Sequence, residues 1–389
     1  MSLEFDGANN KISNSSGASY GVALPAPNYR QPQPLIINGD MAVAQRATST
    51  ASITSDGFHT LDRFETHISS LGTWTQSQDS DVPSGQGFAN SLKMDCTTAD
   101  ASPSAGDFCI IRTKFEGQDL QLIKKGTANA EKLTLAFWVK SSKTGTHIVE
   151  LFDIDNSRTV SQAYTISSAD TWEKKVVNFP ADTTGAFGDD NGRSLDIQFW
   201  LGTGTTYSSG TLQTTWGGQS NGDRVVGQVN LADSDSNNFY LTGVQLEVGE
   251  FNSTTLPPFQ HESFGDNLER CQRYYEKSFL IGTTPAASAV APDGNIFSSW
   301  DTNTARMYIN FKKRKRANPT ITVYRGNNAG TGTATGTANF IYSGAWNNHT
   351  CTGSVSQDYG ASLTASSTAN FGTDSGVVAD LNWTLDAEL

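Results

Sequence analysis

Cysteine is scarce in this chain of 389 residues: there are four, at positions 96, 109, 271 and 351, never at C-x-x-C spacing. That scatter excludes a zinc-finger site and a disulfide framework, and leaves free, partly buried thiols acting as small apolar side chains. Long apolar runs are missing too. No stretch approaches 18 apolar residues, and MSLEFDGANN has neither a basic n-region nor an apolar h-region. Membrane insertion and a secretory signal are therefore not expected, and the chain is expected to be soluble and made in the cytoplasm. Positive charge is in short supply, with 27 basic against 39 acidic residues and a net charge of −12. A polyanion would be repelled over most of such a surface, which argues against nucleic acid as a partner.

Catalytic signatures are equally sparse. There is no HExxH, no P-loop and no GxGxxG between a strand and a helix. The histidines, at 59, 67, 147, 261 and 349, are never at ligand spacing. Gly17-Ala18-Ser19-Tyr20-Gly21 matches G-x-S-x-G, but a nucleophile elbow needs a strand before it and a helix after it, and the sequence offers neither. Glycan-cleaving enzymes need two carboxylates a few ångströms apart; Asp62, Asp153, Asp155, Asp189, Asp190 and Glu247 are available and read as loop acids. Asp233-x-Asp235-x-Asn237 imitates the start of a calcium loop, yet Asn238 stands at the glycine position and Val244 at the glutamate position. No catalytic residue, cofactor or metal ligand is expected.

What the chain has in quantity is glycine (36), phenylalanine (20) and tryptophan (8), with only 17% charged residues. That mixture suits short strands and polar loops, whereas amphipathic 3.6-period patterning is nearly absent. Leu133, Leu135, Phe137 and Val139 alternate with Thr134, Ala136, Trp138 and Lys140, the pattern of a strand with one buried face. The turn at Ser141–Thr146 and the second run His147–Asp155 then predict an antiparallel hairpin over 133–155. Further strands are predicted at Leu35–Ile37, Ser91–Cys96, Phe108–Phe115, Ala163–Ile166, Trp172–Phe179, Leu195–Leu201 and Phe239–Val248. The two Phe-Trp pairs, 137–138 and 199–200, are expected to fill the core between sheets.

GDNLERCQRYYEKS predicts one short helix of about three turns, with Asp266 as N-cap. Beyond it, strands at Asn295–Trp300, Ala305–Phe311, Thr320–Tyr324, Ala338–Tyr342 and Asp380–Leu385 predict a second β-domain. The expected fold class is all-β: a jelly-roll β-sandwich over 35–262, a linking helix over 263–278, and a smaller C-terminal β-sandwich over 279–389. Residues 1–34 have one strand-like run, SLEFDG, and a proline-rich stretch. They read as an attachment segment and linker that is either disordered or held by another chain, the second because Leu3, Phe5 and Ile12 would be wasted on a free tail. The basic run Lys312–Arg316 reads as a solvated strand end or a contact with an acidic neighbouring subunit. Trp300, Tyr342 and Trp346 are the candidate glycan contacts, since aromatic rings supply flat apolar surface; their other reading is core packing.

The ordered set LIINGDMAVAQR, LDRF, LTLAFWVKSSKTGTHIVELFD, TWEKKVVNFP, FWLG, FYLTGVQLEVG and ERCQRYYEKS resembles the carbohydrate-binding-like jelly-roll region of tail fibre and minor structural proteins of tailed bacteriophages, over roughly residues 35–279. RANPTITVY and WTLDAEL resemble the tail of these proteins. The resemblance implies a homotrimeric virion appendage whose N-terminus attaches to a tail adaptor or other virion protein and whose β-domains meet host surface polysaccharide. It also implies a structural calcium near Asp40, although Thr242-Gly243 stands where the family usually has Asp. The alternatives are a head or neck decoration protein and a polysaccharide depolymerase.

Overall fold

The computed structural model describes residues 3–6, 11–14, 19–21, 34–286, 295–326, 335–342, 345–366, 371 and 377–389. The chain divides into two units, Met1–Pro34 and Leu35–Leu389. In the first, β1 (Leu3–Asp6), β2 (Lys11–Asn14) and β3 (Ser19–Gly21) form an antiparallel sheet with Phe5 opposite Ile12 and Ile12 opposite Tyr20. The sequence pattern points to one strand here, and the structure has three. Runs of three or four residues are too short for a period-two signal.

The second unit opens without the strand expected at Leu35–Ile37, which is a bend leading into the turn at Asn38. Its strands are β4 (Ser49–Ile53), β5 (Glu65–Ser69), β6 (Thr73–Asp79), β7 (Ser91–Thr98), β8 (Phe108–Glu116), β9 (Leu133–Ser141), β10 (Gly145–Asp153), β11 (Arg158–Ile166), β12 (Glu173–Phe179), β13 (Arg193–Thr203), β14 (Gly217–Gly218) and β15 (Asn238–Val248). They build two six-stranded antiparallel sheets, one in the order β14-β11-β10-β13-β8-β5 and the other β12-β9-β15-β7-β6-β4. Leu135, Phe137 and Leu241 from one sheet meet Ile111, Leu151 and Ile197 from the other in a single core. This is a jelly-roll sandwich.

β9 and β10 are not a hairpin. They lie in different sheets: β9 pairs with β12 and β15, and β10 with β11 and β13. The alternation correctly marks which residues face the core, but it carries no information about which strand lies alongside. Two consecutive strands that send their apolar residues into the same core can do so from opposite sheets. The local hairpin is β10–β11, with Asp153 opposite Arg158 and Ser157 at φ 51° in the turn. The Phe-Trp pairs divide between two environments. Phe137 and Phe199 meet edge to face at 5.1 Å in the core. Trp138 is half-buried, and Trp200 packs on the outer face with Ile110, Ile148 and Val225. Arg224 holds the segment that covers Trp200 by donating to Glu150 at 2.8 and 2.6 Å.

The helix α1 (Phe264–Gln272) is shorter than the predicted three turns. Its N-cap is Ser263, one turn earlier than Asp266: Ser263 Oγ accepts from the Asp266 amide at 3.1 Å and donates to the Asp266 carboxylate at 2.7 Å. The chain leaves the helix at Tyr274 and enters β16 (Tyr275–Lys277). The remaining strands are β17 (Asn295–Asp301), β18 (Thr304–Asn310), β19 (Thr320–Arg325), β20 (Thr337–Tyr342), β21 (Ala345–Gln357), β22 (Gly360–Ser366) and β23 (Val377–Asp386). β23 pairs with both β17 and β20, so the C-terminal sheet curls around its own core of Phe297, Ile309, Phe340, Leu363 and Leu381. The far half of β23 runs between β19 and β16 and returns the chain to the sandwich.

Candidate functional site

The stretches LIINGDMAVAQR, LDRF, ERCQRYYEK and DAEL lie far apart in sequence and meet in one buried polar seam. Asn38 starts it. At φ 61° it adopts a left-handed turn that asparagine tolerates. Its side chain accepts from the Val43 amide at 2.8 Å and donates to the Val43 and Asp62 carbonyls at 2.8 and 2.9 Å. Asn267 of α1 accepts from the Asn38 amide and donates to Asp40, both at 3.1 Å. Asp40 thus helps dock the helix. A Cβ on Gly39 would fall 2.2 Å from the Val244 carbonyl oxygen, so only glycine permits this close approach. Among the described residues, no group of three or more His, Cys, Asp or Glu is placed to hold a metal.

Charges fill the next layer. The Arg46 guanidinium lies 3.7 Å from the Tyr275 ring centre and contacts Asp62, Asp386 and Glu388 at 3.5, 3.2 and 3.3 Å. Arg63 stacks on Tyr274 at 3.5 Å, pairs with Glu388 and donates to the Lys114 carbonyl at 2.6 Å. Glu116 is fully buried and accepts from Arg273 at 2.7 and 2.6 Å and from the Tyr274 hydroxyl at 2.6 Å. Burial opposes the Glu116 charge, but these hydrogen bonds outweigh it and hold its pKa below the ordinary value. Asp62 differs. Burial pushes it up to about 7, because Arg46 is shared among three carboxylates and offers it only a long contact.

The basic run divides: Lys312 and Arg314 are exposed, as a solvated strand end would be, whereas Lys315 is buried, and the acids and carbonyls that the run meets belong to the same chain. Lys315 is buried against Glu276 at 2.7 Å, Lys313 reaches Glu269, Arg314 reaches Asp358, and Arg316 donates to the Ala387 and Glu388 carbonyls. The acids expected in loops are corrected in part: Asp153 ends β10 and Glu247 lies in β15, both buried like Asp62, with Asp153 paired to Lys125, whereas Asp155 is in a turn and accepts from the Gly188 amide; Asp233 pairs with Lys143.

Where the seam reaches the surface it opens into a cleft of about 470 Å³ between the sandwich and the C-terminal sheet. Arg46, Thr50 and His59 line it from the sandwich, and Tyr275, Asp386, Thr384, Thr320, Thr322 and Tyr324 from the adjacent strands β16, β23 and β19. The Tyr324 ring is set by an edge contact with Phe279 at 5.3 Å. Burial lowers the His59 pKa, so a neutral imidazole faces the opening. Guanidinium donors, a carboxylate acceptor, threonine hydroxyls and tyrosine rings together suit a polyhydroxylated ligand. Asp386, the carboxylate among the lining residues, is paired with Arg46 at 3.2 Å.

Of the predicted glycan contacts, Trp300 is 69% exposed, with the Arg306 guanidinium 4.4 Å from its ring centre. Tyr342 and Trp346 have side chains outside the described residues. Their backbones belong to the β20–β21 hairpin, which is not a neighbour of β17. The sequence reading missed the cleft. Tyr275 stands in a quoted stretch, but no spacing brings residues 46, 275, 324 and 386 together.

A search against descriptions of protein families finds no match, and a comparison with curated proteins finds none. Solved structures with some likeness include the enzymatically active domain of tailspike protein 4 from bacteriophage CBA120. That match has 14% identity and a TM-score of 0.29, and covers 55% of this chain and 21% of that one. The family 11 carbohydrate-binding module from Clostridium thermocellum in complex with a mixed-linked tetrasaccharide gives 9% identity and a TM-score of 0.27, covering 53% and 98%. A family 30 carbohydrate-binding module gives 13% and 0.27, covering 56% and 92%. The matched region spans about a fifth of the tailspike chain, and no residue role, ligand or activity carries over at these scores.

Proposed function

We propose that this chain is a non-enzymatic virion structural protein, a phage tail fibre that holds to the tail through residues 1–34 as a homotrimer and contacts host surface glycan with its β-domains. The cleft carries the glycan part of this reading. It joins tyrosine rings, threonine hydroxyls, Arg46 and Asp386 in a space of about 470 Å³, open to solvent and large enough for one or two sugar rings. The buried charges around it are consumed in holding the sandwich, the helix and β23 together, which supports a scaffold more than a reaction centre.

Binding of the purified full chain to host cells and to their isolated surface polysaccharide tests the proposal, with Tyr324→Ala as the cleft variant. Saturable binding that the variant weakens is expected. Steady release of reducing ends from the polysaccharide would refute the non-enzymatic reading. Antibody label confined to the capsid faces of the virion would refute the fibre.

A further inference from the structure

Large apolar side chains stand exposed on the outer face of the C-terminal sheet. On β17 and β18, Phe297, Ala305 and Ile309 point into the core, so alternation sends Ile296, Trp300, Arg306 and Tyr308 outward. Ile296 is 65% exposed and Tyr308 49%, and the partner of Ile296 across the ladder, Val378 of β23, is exposed too. Apolar clusters of this kind on a folded surface mark contact sites.

Arg306 distinguishes this patch from an ordinary hydrophobic face. Arg63, Arg112, Arg158, Arg224 and Arg273 each hold a carboxylate. Arg306 makes no ion pair or hydrogen bond among the described residues, and its one contact there is the Trp300 ring. Its cross-strand neighbours are Ser298 and Thr364, and that of Tyr308 is Ser362. The outward positions of β17, β18 and β22 around it hold rings, hydroxyls and one guanidinium, and the one acid there, Asp301, stands exposed at the end of β17 opposite Thr304 without pairing to Arg306. In a chain of net charge −12 an exposed guanidinium with no carboxylate bound to it is a place that can receive an anionic group.

We propose that this face binds an acidic polysaccharide, one whose sugar units bear carboxylates. Trp300 and Tyr308 stack against the apolar faces of the sugar rings, Arg306 receives the carboxylate on its fork of N–H donors, and Ser298, Ser362 and Thr364 meet the hydroxyls. A second copy on this face is the competing occupant, and the oligomeric state measured below separates the two. The inference rests on the glycan reading above and uses a surface separate from the cleft.

The test is binding of the full chain to polygalacturonate, alginate and polysialic acid, beside methyl-esterified polygalacturonate and dextran as neutral probes, together with the host surface polysaccharide. At least one acidic polymer should bind tenfold or more tightly than the neutral ones and weaken as salt rises. Arg306→Gln should remove that preference, Arg306→Lys should weaken binding several-fold, and Trp300→Ala should weaken it tenfold. Both side chains are exposed, so unchanged melting temperatures will show that the variants fold. Equal binding of acidic and neutral polymers, or an Arg306→Gln protein that still prefers acid, overturns the acidic-ligand inference while leaving the glycan reading intact. Failure to bind any glycan, the host polysaccharide included, overturns both. An oligomer that dissociates on Trp300→Ala or Arg306→Gln would show a second copy on this face and overturn the inference alone.

Discussion

The polar seam and the outer face of β17 and β18 treat charge in opposite ways. At the seam, Arg46 and Arg63 are taken out of water and Arg273 partly so, and they are met by Asp62, Glu116, Asp386 and Glu388. On the outer face Arg306 stays in solvent beside Trp300 and pairs with no acid among the described residues. Burying a charge costs several kcal/mol and is tolerated only when partners and hydrogen bonds offset it, so a cluster of buried ion pairs fixes how segments join. An unpartnered exposed charge does nothing for folding and remains available to something else. The contrast separates the parts of this molecule that hold shape from those that meet a ligand.

Removing Glu116 should have the largest effect. Glu116→Ala leaves Arg273 and the Tyr274 hydroxyl without their acceptor, and breaking a buried pair from one side costs about 3–5 kcal/mol. Arg306→Gln should change stability by less than about 0.5 kcal/mol, as exposed substitutions generally do. Urea unfolding of the two variants measures both. A Glu116→Ala protein as stable as Arg306→Gln would break the comparison.

Acid probes the sandwich itself. His147 lies in its core, fully buried and stacked on Tyr164, and burial lowers its pKa to about 4 from the usual 6.5. As pH falls the unfolded chain takes up the proton first. The stability that depends on neutral His147 is therefore complete above about pH 6.5 and lost between there and pH 4, to a total of about 3 kcal/mol. Asp62 works in the other direction over much of this range: its folded pKa is raised to about 7, so protonation relieves a buried charge. The difference in melting temperature between the native chain and His147→Phe isolates the histidine. The gap should narrow as pH drops from 7 to 4.5, and a constant gap would remove His147 from the account.

At the cleft the expected change is in binding alone. Tyr324→Ala removes a ring that faces the opening, and glycan affinity should fall about tenfold, ~1.4 kcal/mol. Calorimetry of the variant beside Arg306→Gln sharpens the comparison. If either substitution abolishes binding of both neutral and acidic glycans, the two surfaces act as one.

Composition and alternation were enough to give an all-β chain with one helix, and they marked Leu135, Phe137 and Phe199 as core residues. Strand partners were not legible. The β9–β10 boundary looks like a hairpin because a turn between two apolar runs reads the same whether the chain folds back or crosses to the other sheet. The seam was half visible. Its four stretches attract attention as clusters of Asn, Asp, Arg and Tyr, but pairing Arg63 with Glu388, 325 residues away, needs the fold. The burial of Lys315 within the Lys312–Arg316 run was not legible for the same reason: the run's acids lie on α1, β16 and the turn before β22, beyond any local pattern. Trp300 could be named from sequence, but Arg306 could not be recognised as the free arginine until the partners of the others were known.

The smallest predicted effect tests whether the seam is rigid. Ser263 Oγ accepts from the Asp266 amide, so Ser263→Ala leaves that donor without its cap, a loss of about 1 kcal/mol. An isolated helix end would absorb this by fraying. Here α1 presents Asn267 to Asn38 and Asp40 and leads directly to Arg273 and Tyr274, which grip Glu116. If these contacts form one cooperative unit, fraying of the first turn must loosen Asn267 and register in global stability. Urea unfolding should then show the full ~1 kcal/mol, and amide exchange at Asn38 and Val43 should quicken in step with that at Asn267. Faster exchange at Asn267 with Asn38 unchanged would mean that the helix opens without the seam. The buried charges would then hold the sandwich and β23 together independently of α1.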